Sequence, residues 1–360
     1  MPSAPVRAFL DLVGVALPIV QAPMAGVSSP EMAAAASEAG ALGSIGVGAV
    51  DAAGARAMIA AVKARTDRPF SVNLFCHQPA RSDAGREAAW IERLRPAFAR
   101  FGAEPPGALH EIYTSFVEDD AMLAVLLAEK PAVASVHFGL PTPRQIEALR
   151  DAGIVLLGSA TNLEEARALT AAGVQGVVAQ GWEAGGHRGV FDPDAPDDRL
   201  GALPLTRLLA QALDAPVIAA GGIMDGRGIA AALDLGAGAA QLGTAFVGCA
   251  ESLADAGYRA ALASEAAHHT VMTRAVSGRP ARCLANRLTA LGLEDEAEAD
   301  APAYPIAYDL GKALHAAARA RGEFGYGAQW AGQGAPLARS MPTGDLVHTL
   351  AAELAAARTP

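Results

Sequence analysis

Lysine and cysteine are both scarce, with three of each in 360 residues. Cys76, Cys249 and Cys283 are odd in number, far apart and without a CxxC pair, so they suggest neither a disulfide framework nor a zinc site. A reducing, cytoplasmic setting fits them best. Basic residues are also few: 28 Lys and Arg stand against 38 Asp and Glu, giving a net charge of -10, and no stripe of positive charge could track a phosphate backbone. The charge balance therefore disfavours nucleic acid as a partner. No apolar run reaches the roughly 18 residues of a membrane span, and the opening MPSAPVRAFLDLVG carries no signal-peptide core. The expectation is a cytoplasmic protein with no membrane partner.

What is abundant is apolar residues (52%) and glycine (38), spread along the chain, which excludes a disordered or fibrous class. A short apolar run, a Gly-rich turn and an Ala/Leu/Glu-rich stretch of helical period recur eight times, with strands expected at 18–24, 42–47, 70–75, 133–138, 154–159, 176–180, 216–220 and 239–243. SEAGALGSI, RDAGIVLL, TAAGVQGVV and DLGAGAAQL each put glycine where a helix needs a left-handed cap. Eight such units within about 250 residues match an α/β fold of the TIM-type (β/α)8 barrel. An open Rossmann sheet would want GxGxxG after its first strand, whereas QAPMAGVSSPE offers only Gly26. The gap from Cys76 to Ala132 is filled by helix-like stretches at 85–100 and 118–129. Beyond strand eight the repeat stops. The expected division is a barrel over 1–250, a smaller C-terminal helical or lid domain over 251–314, and a segment over 315–360 packing back on the barrel. The run LEDEAEAD reads as a solvated helix end or loop.

Barrel chemistry sits at the C-terminal ends of strands. Those ends carry glycines and amides but few carboxylates, with no HxH pattern, so a metal is not expected. His268 and His269 are adjacent on an expected helix and would diverge rather than share an ion. None of Lys63, Lys130 and Lys312 falls on a strand, which removes lysine-imine and PLP chemistry. After strands seven and eight, Gly221, Gly222, Gly226, Gly228 and the pair Gly243-Thr244 bring bare backbone amides and a helix N-terminus together as an anion cradle. A phosphate there, without lysine or metal, suits a cofactor that brings its own chemistry, and FMN is the best candidate. The simpler reading of each single glycine is a tight turn.

The segments QAPMAGVS, YTSF, VHFGLP, GSATNLEEA, VAQGWEAGGHRG, AAGGIMDGRGIAAALDLGAGAAQLGTAF and YGAQWAGQGAPLARSMP, in this order over nearly the whole chain, resemble the nitronate monooxygenase family, most of all its class I, formerly called 2-nitropropane dioxygenases. The resemblance implies an FMN-dependent barrel oxidising propionate 3-nitronate and alkyl nitronates with O2, through a flavin semiquinone, to aldehyde or ketone plus nitrite or nitrate. It implies FMN contacts at Pro23, Met24, Ala25, Asn73, Gln180, Gly185, Gly221, Gly222, Gln241, Leu242, Gly243 and Thr244. Asn73 and Gln180 carry amides suited to a polar ring edge.

His187, in the Gly-rich EAGGHRG loop, is the expected catalytic residue, acting as base toward nitroalkanes and binding anionic nitronates in the family that the chain resembles. His137 also matches, as a substrate-binding or supporting residue. Tyr304, Tyr308 and Lys312 are spaced by four, which places them on one helix face if YPIAYDLGK is helical, and in the family they face the substrate. Lys312 could meet the carboxylate of propionate 3-nitronate. Cys76 reads as a small buried thiol rather than a nucleophile. The expected partners are a nitronate and O2, and the chain is a monomer or a homodimer. The rival readings are an NAD(P)H-dependent FMN quinone or enoyl-thioester reductase on the same scaffold, and a flavin-free phosphate-ligand barrel.

Overall fold

A computed structural model describes residues 2–294 and 299–359. Eight parallel strands form the central sheet: β1 (Ile19–Gln21), β2 (Gly43–Gly46), β3 (Phe70–Phe75), β4 (Val133–His137), β5 (Val155–Ala160), β6 (Gly176–Gln180), and, after the two-residue β7 (Gly186–His187), β8 (Val217–Ala220) and β9 (Ala239–Leu242). Their order is β1-β9-β8-β6-β5-β4-β3-β2, and a parallel bridge between Val20 and Leu42 joins the two ends into a barrel. The strands are buried on both faces, as continuous apolar runs require. Gly40, Gly153, Gly173 and Gly236, the four glycines expected to stop helices, all have left-handed φ between 78° and 104°.

Most strand ends fall within a residue of those expected, but two features depart further. The first strand ends at Gln21 rather than Met24, because residues 22–28 curl into a turn in which the Ser28 Oγ accepts the Met24 N–H at 3.0 Å. β7 lies inside the EAGGHRG loop and pairs antiparallel with β11 (Ala281–Leu284), which pairs in turn with β10 (Thr270–Thr273). This small three-stranded sheet stands over the barrel's C-terminal mouth. The gap after β3 holds helices Ala84–Ala99 and Asp120–Glu129. The first of these buries Trp90, Ile91, Leu94 and Phe98 against Leu310 and Leu314 of helix Ile306–Arg319. Residues 295–298 of the acidic run lie outside the described residues.

Helix Thr343–Ala357 packs on helices Gly226–Asp234 and Pro30–Glu38, with Leu346, Val347, Leu350 and Leu354 sharing a core with Met32, Ile229 and Leu233. It fills the outer position between the helix after β8 and the helix after β1. Among the described residues no helix is long and apolar enough to cross a membrane.

Candidate active site

A cavity of about 430 Å³ opens at the C-terminal ends of the strands, within the usual size for a small-molecule or cofactor site. Of the residues singled out from the sequence, Pro23, Met24, Ala25, Asn73, Gln180, Gly185, Gly221, Gly222, Gln241, Gly243 and Thr244 line it, together with His137, His187, Tyr304, Tyr308 and Lys312. Leu242 does not line it. Strand alternation turns its side chain into the core beside Ile229 and Phe246, and its carbonyl accepts the Ala22 N–H at 2.9 Å.

One end of the cavity is backbone and amide. Gly221 and Gly222 sit at φ 124° and 69°, conformations that a β-carbon disfavours. Gly185 has no room for one, since it would lie 2.5 Å from the Gly332 nitrogen. The expected cradle is narrower than its glycines suggest. The Gly226 N–H donates to Glu353 Oε2 at 2.9 Å and the Gly228 N–H to Asp225 Oδ1 at 2.8 Å, so carboxylates of the chain itself cap that helix. Glu353 is held there by Arg339, 2.7 Å away. Asn73 on β3 donates its amide to the Ser135 hydroxyl at 3.0 Å.

Gln180, at the end of β6, is partly committed within the protein. Its nitrogen donates to the His187 carbonyl at 2.9 Å and its oxygen accepts the Gly189 N–H at 2.7 Å. One N–H and one lone pair remain for a ligand. The amide thus clamps the loop that carries His187. Arg188, fully buried, braces the same loop through a two-point ion pair with Asp197 at 2.7 and 3.0 Å.

The other end is aromatic. The His187 ring lies 4.9 Å from Trp330, 5.2 Å from Tyr304 and 5.6 Å from Phe138 between centroids, and its Nε2 is 2.8 Å from the Ser277 hydroxyl. Burial, and then the nearby His137 and Arg279, hold its pKa well below the ordinary 6.5, so the imidazole is neutral at neutral pH. His137 reaches back to the His187 carbonyl at 3.2 Å, and burial lowers its pKa to about 4. Phe138 has φ 76°, a left-handed conformation costing a bulky residue about 1–2 kcal/mol. The Arg279 guanidinium lies 4.3 Å from its ring centre.

Tyr304 precedes helix Ile306–Arg319, with Pro305 at the cap, so it shares a site with Tyr308 and Lys312 without sharing their helix. Its buried hydroxyl has no hydrogen-bond partner among the described residues, which leaves it available to a ligand. Lys312 Nζ donates to the Tyr113 hydroxyl at 2.7 Å and lies 5.0 and 5.4 Å from the Tyr113 and Tyr308 ring centres. Burial lowers its pKa.

Residues not singled out beforehand complete this wall: Tyr113, Phe138 and Trp330 line the cavity, and Ser277 and Arg279 stand behind it. Tyr113 and Trp330 lie within YTSF and YGAQWAGQG, so the motifs held the signal. Ser277 and Arg279 had none, since their partners are 90 and 141 residues distant (277 less 187, and 279 less 138). Cys76, Cys249 and Cys283 are buried free thiols, and burial raises the pKa of each.

A family model described as nitronate monooxygenase matches residues 7–353. The chain is 62% identical over 348 residues to a nitronate monooxygenase of Paraburkholderia phytofirmans, covering 97% of this chain and 95% of the relative. It is 54% identical over 349 residues to one of Pseudomonas aeruginosa, covering 96% and 98%. Among solved structures, a nitroalkane oxidase of Streptomyces ansochromogenes superposes with a TM-score of 0.88 at 44% identity, covering 98% of this chain and 99% of that one. With a barrel whose mouth joins bare backbone amides to a neutral histidine in an aromatic wall, the chain belongs to the nitronate monooxygenase family of flavin-dependent oxidoreductases.

Proposed function

We propose that this enzyme uses FMN to oxidise nitronates, propionate 3-nitronate and alkyl nitronates among them, with O2 to aldehyde or ketone plus nitrite or nitrate. The observation that carries this reading is the division of one cavity into two chemically different ends. Gly221, Gly222, Gly243 and Thr244 offer backbone N–H groups to a phosphate, with Gly185 allowing close approach. Asn73, Gln180 and Gln241 offer amides to a flavin's polar edge, and Pro23, Met24 and Ala25 flank it. FMN, when bound, supplies electron transfer between the substrate carbon and O2.

The remaining work falls to the chain's own side chains. His187 and the free Tyr304 hydroxyl meet the nitro group, Tyr308 and His137 bound it, and the Lys312 ammonium meets a second negative charge on the substrate. The aromatic wall excludes water around the anion, which strengthens each of these contacts. Residues 251–314 act as the lid that carries much of this wall, over a barrel whose strands all lie within residues 1–250.

The test is to record the visible spectrum of the purified protein and then mix it anaerobically with propionate 3-nitronate, NADH or NADPH. Bleaching of bound flavin by the nitronate is expected. A colourless protein that cannot be reconstituted with FMN removes the flavin assignment. Bleaching by a nicotinamide alone moves the enzyme to the reductase reading.

A further inference from the structure

Ser277 is wholly buried in the connection between β10 and β11, and its hydroxyl has three polar neighbours. His187 Nε2 is at 2.8 Å, the Arg279 carbonyl oxygen at 3.3 Å and the Arg279 nitrogen at 3.5 Å. The Arg279 N–H points toward the hydroxyl oxygen as a donor, so the hydroxyl proton has two acceptors, of which His187 Nε2 lies within the ordinary reach of about 2.5–3.0 Å and the Arg279 carbonyl beyond it. The backbone holds both partners in register. Ala281 pairs with His187 across β11 and β7, and the Arg188 N–H donates to the Pro280 carbonyl at 2.8 Å.

A neutral imidazole has one N–H and one lone pair, and the group bonded to one nitrogen decides the state of the other. A hydroxyl that donates to Nε2 leaves the ring's single proton on Nδ1. No carboxylate is hydrogen-bonded to this ring among the described residues, unlike arrangements in which an acid draws an N–H toward itself and raises the ring's basicity.

We infer that Ser277 is a positioning residue that holds His187 as its Nδ1–H tautomer, so that the ring presents a hydrogen-bond donor, and not a base, to a bound nitro compound. The inference rests on His187 being the group that meets the substrate. An N–H directed at the cavity favours an oxygen that already carries negative charge, the state of a nitronate. A neutral nitroalkane must instead lose a proton from carbon to a bare ring nitrogen, leaving the electron pair on carbon. His187 becomes able to accept that proton at Nδ1 only when the ring proton moves to Nε2 and the Ser277 hydroxyl turns away. The enzyme therefore selects the anionic form of its substrate through a serine that never touches it.

The experiment is long-range 1H–15N correlation of the flavin-loaded, 15N-histidine-labelled protein, with His187 assigned by its loss in His187→Asn. The expected wild-type pattern is a protonated Nδ1 and a bare Nε2. In Ser277→Ala the two tautomers mix, and Ser277→Thr restores the wild-type pattern. In turnover, Ser277→Ala raises the KM for a preformed nitronate about tenfold, the cost of one misdirected hydrogen bond to an anion, while activity on the parent nitroalkane stays level or rises. A general packing defect would lower both. A wild-type ring protonated on Nε2, or a tautomer unchanged in Ser277→Ala, overturns the inference. The spectra report on the tautomer whether or not nitronates are turned over, so a failure of the proposed function is seen separately in the anaerobic mixing experiment.

Discussion

The two ends of the cavity are built by different means. The floor, around Gly221, Gly222, Gly243, Asn73 and Gln180, comes from the ends of barrel strands and presents backbone and amide side chains to the cavity. The wall, around His187, Tyr304, Tyr308, Lys312 and Trp330, comes from a two-residue strand, a pre-helix residue, a helix and a loop that meet only in three dimensions. Floor residues are held in place by backbone conformation, wall residues by side-chain contacts and charge. Substitutions on the two sides should therefore fail in different ways.

The largest expected effect separates them by pH. Burial, with the Arg279 charge, lowers the pKa of His77 behind Tyr304 from 6.5 to about 4. The native state keeps this ring neutral while the unfolded chain protonates it below pH 6.5, so its contribution is complete above 6.5 and is lost as pH falls toward 4. At about 1.4 kcal/mol per pH unit, that is about 3 kcal/mol from one histidine. His137 and His187 act in the same direction. Urea unfolding from pH 7 to 4 should show the fall, and His77→Gln should flatten it. An unchanged slope in that variant would mean that His77 does not contribute to acid stability.

Next comes His187→Leu, which removes a hydrogen bond to a charged substrate. A loss of about 10–10²-fold in kcat/KM for nitronates is expected, with flavin content unchanged. Release of flavin by this variant would break the division between floor and wall.

Gly222→Val is its mirror. At φ 69° a branched residue is strained by about 1–2 kcal/mol, and its β-carbon would stand 3.3 Å from that of Glu183. Flavin affinity should fall about tenfold or more, read from fluorescence of released cofactor, with KM for nitronate nearly unchanged in the fully loaded enzyme. Lys312→Met has the smallest effect: KM for propionate 3-nitronate should rise several-fold, up to about tenfold, while an uncharged alkyl nitronate is indifferent. An equal response to both substrates would make Lys312 a support for Tyr113.

The same contrast explains what could be read in the sequence. The eight barrel strands and their glycine stops were legible because burial on both faces leaves continuous apolar runs, and left-handed caps demand glycine. The floor followed, since strand ends are where such a barrel presents its amides. Two details escaped for lack of long-range information. Glu353 caps helix Gly226–Asp234 from 127 residues away, and Leu242 is turned inward by strand alternation. The wall was legible only where a motif carried it. Gly186 and His187 have no strand propensity and form β7 only because β11 pairs with them, while Ser277 and Arg279 gain meaning from contacts that no local spacing records.

Helix Thr343–Ala357 completes the ring of helices around the barrel, yet about 95 residues separate it from helix Thr244–Val247, which follows the last barrel strand. Residues 248–342 thus stand in the chain between the last barrel strand with its short helix and the helix that closes the ring. Closing a loop of that length costs only about (3/2)RT ln n, so the arrangement is thermodynamically cheap. The ring's last contacts are among its most distant in sequence, the kind of closure that forms slowly in folding. The ring of helices is therefore continuous only with residues 343–357 in place, and without them the apolar faces around Met32, Ile229 and Leu233 lose the cover that Leu346, Leu350 and Leu354 give them.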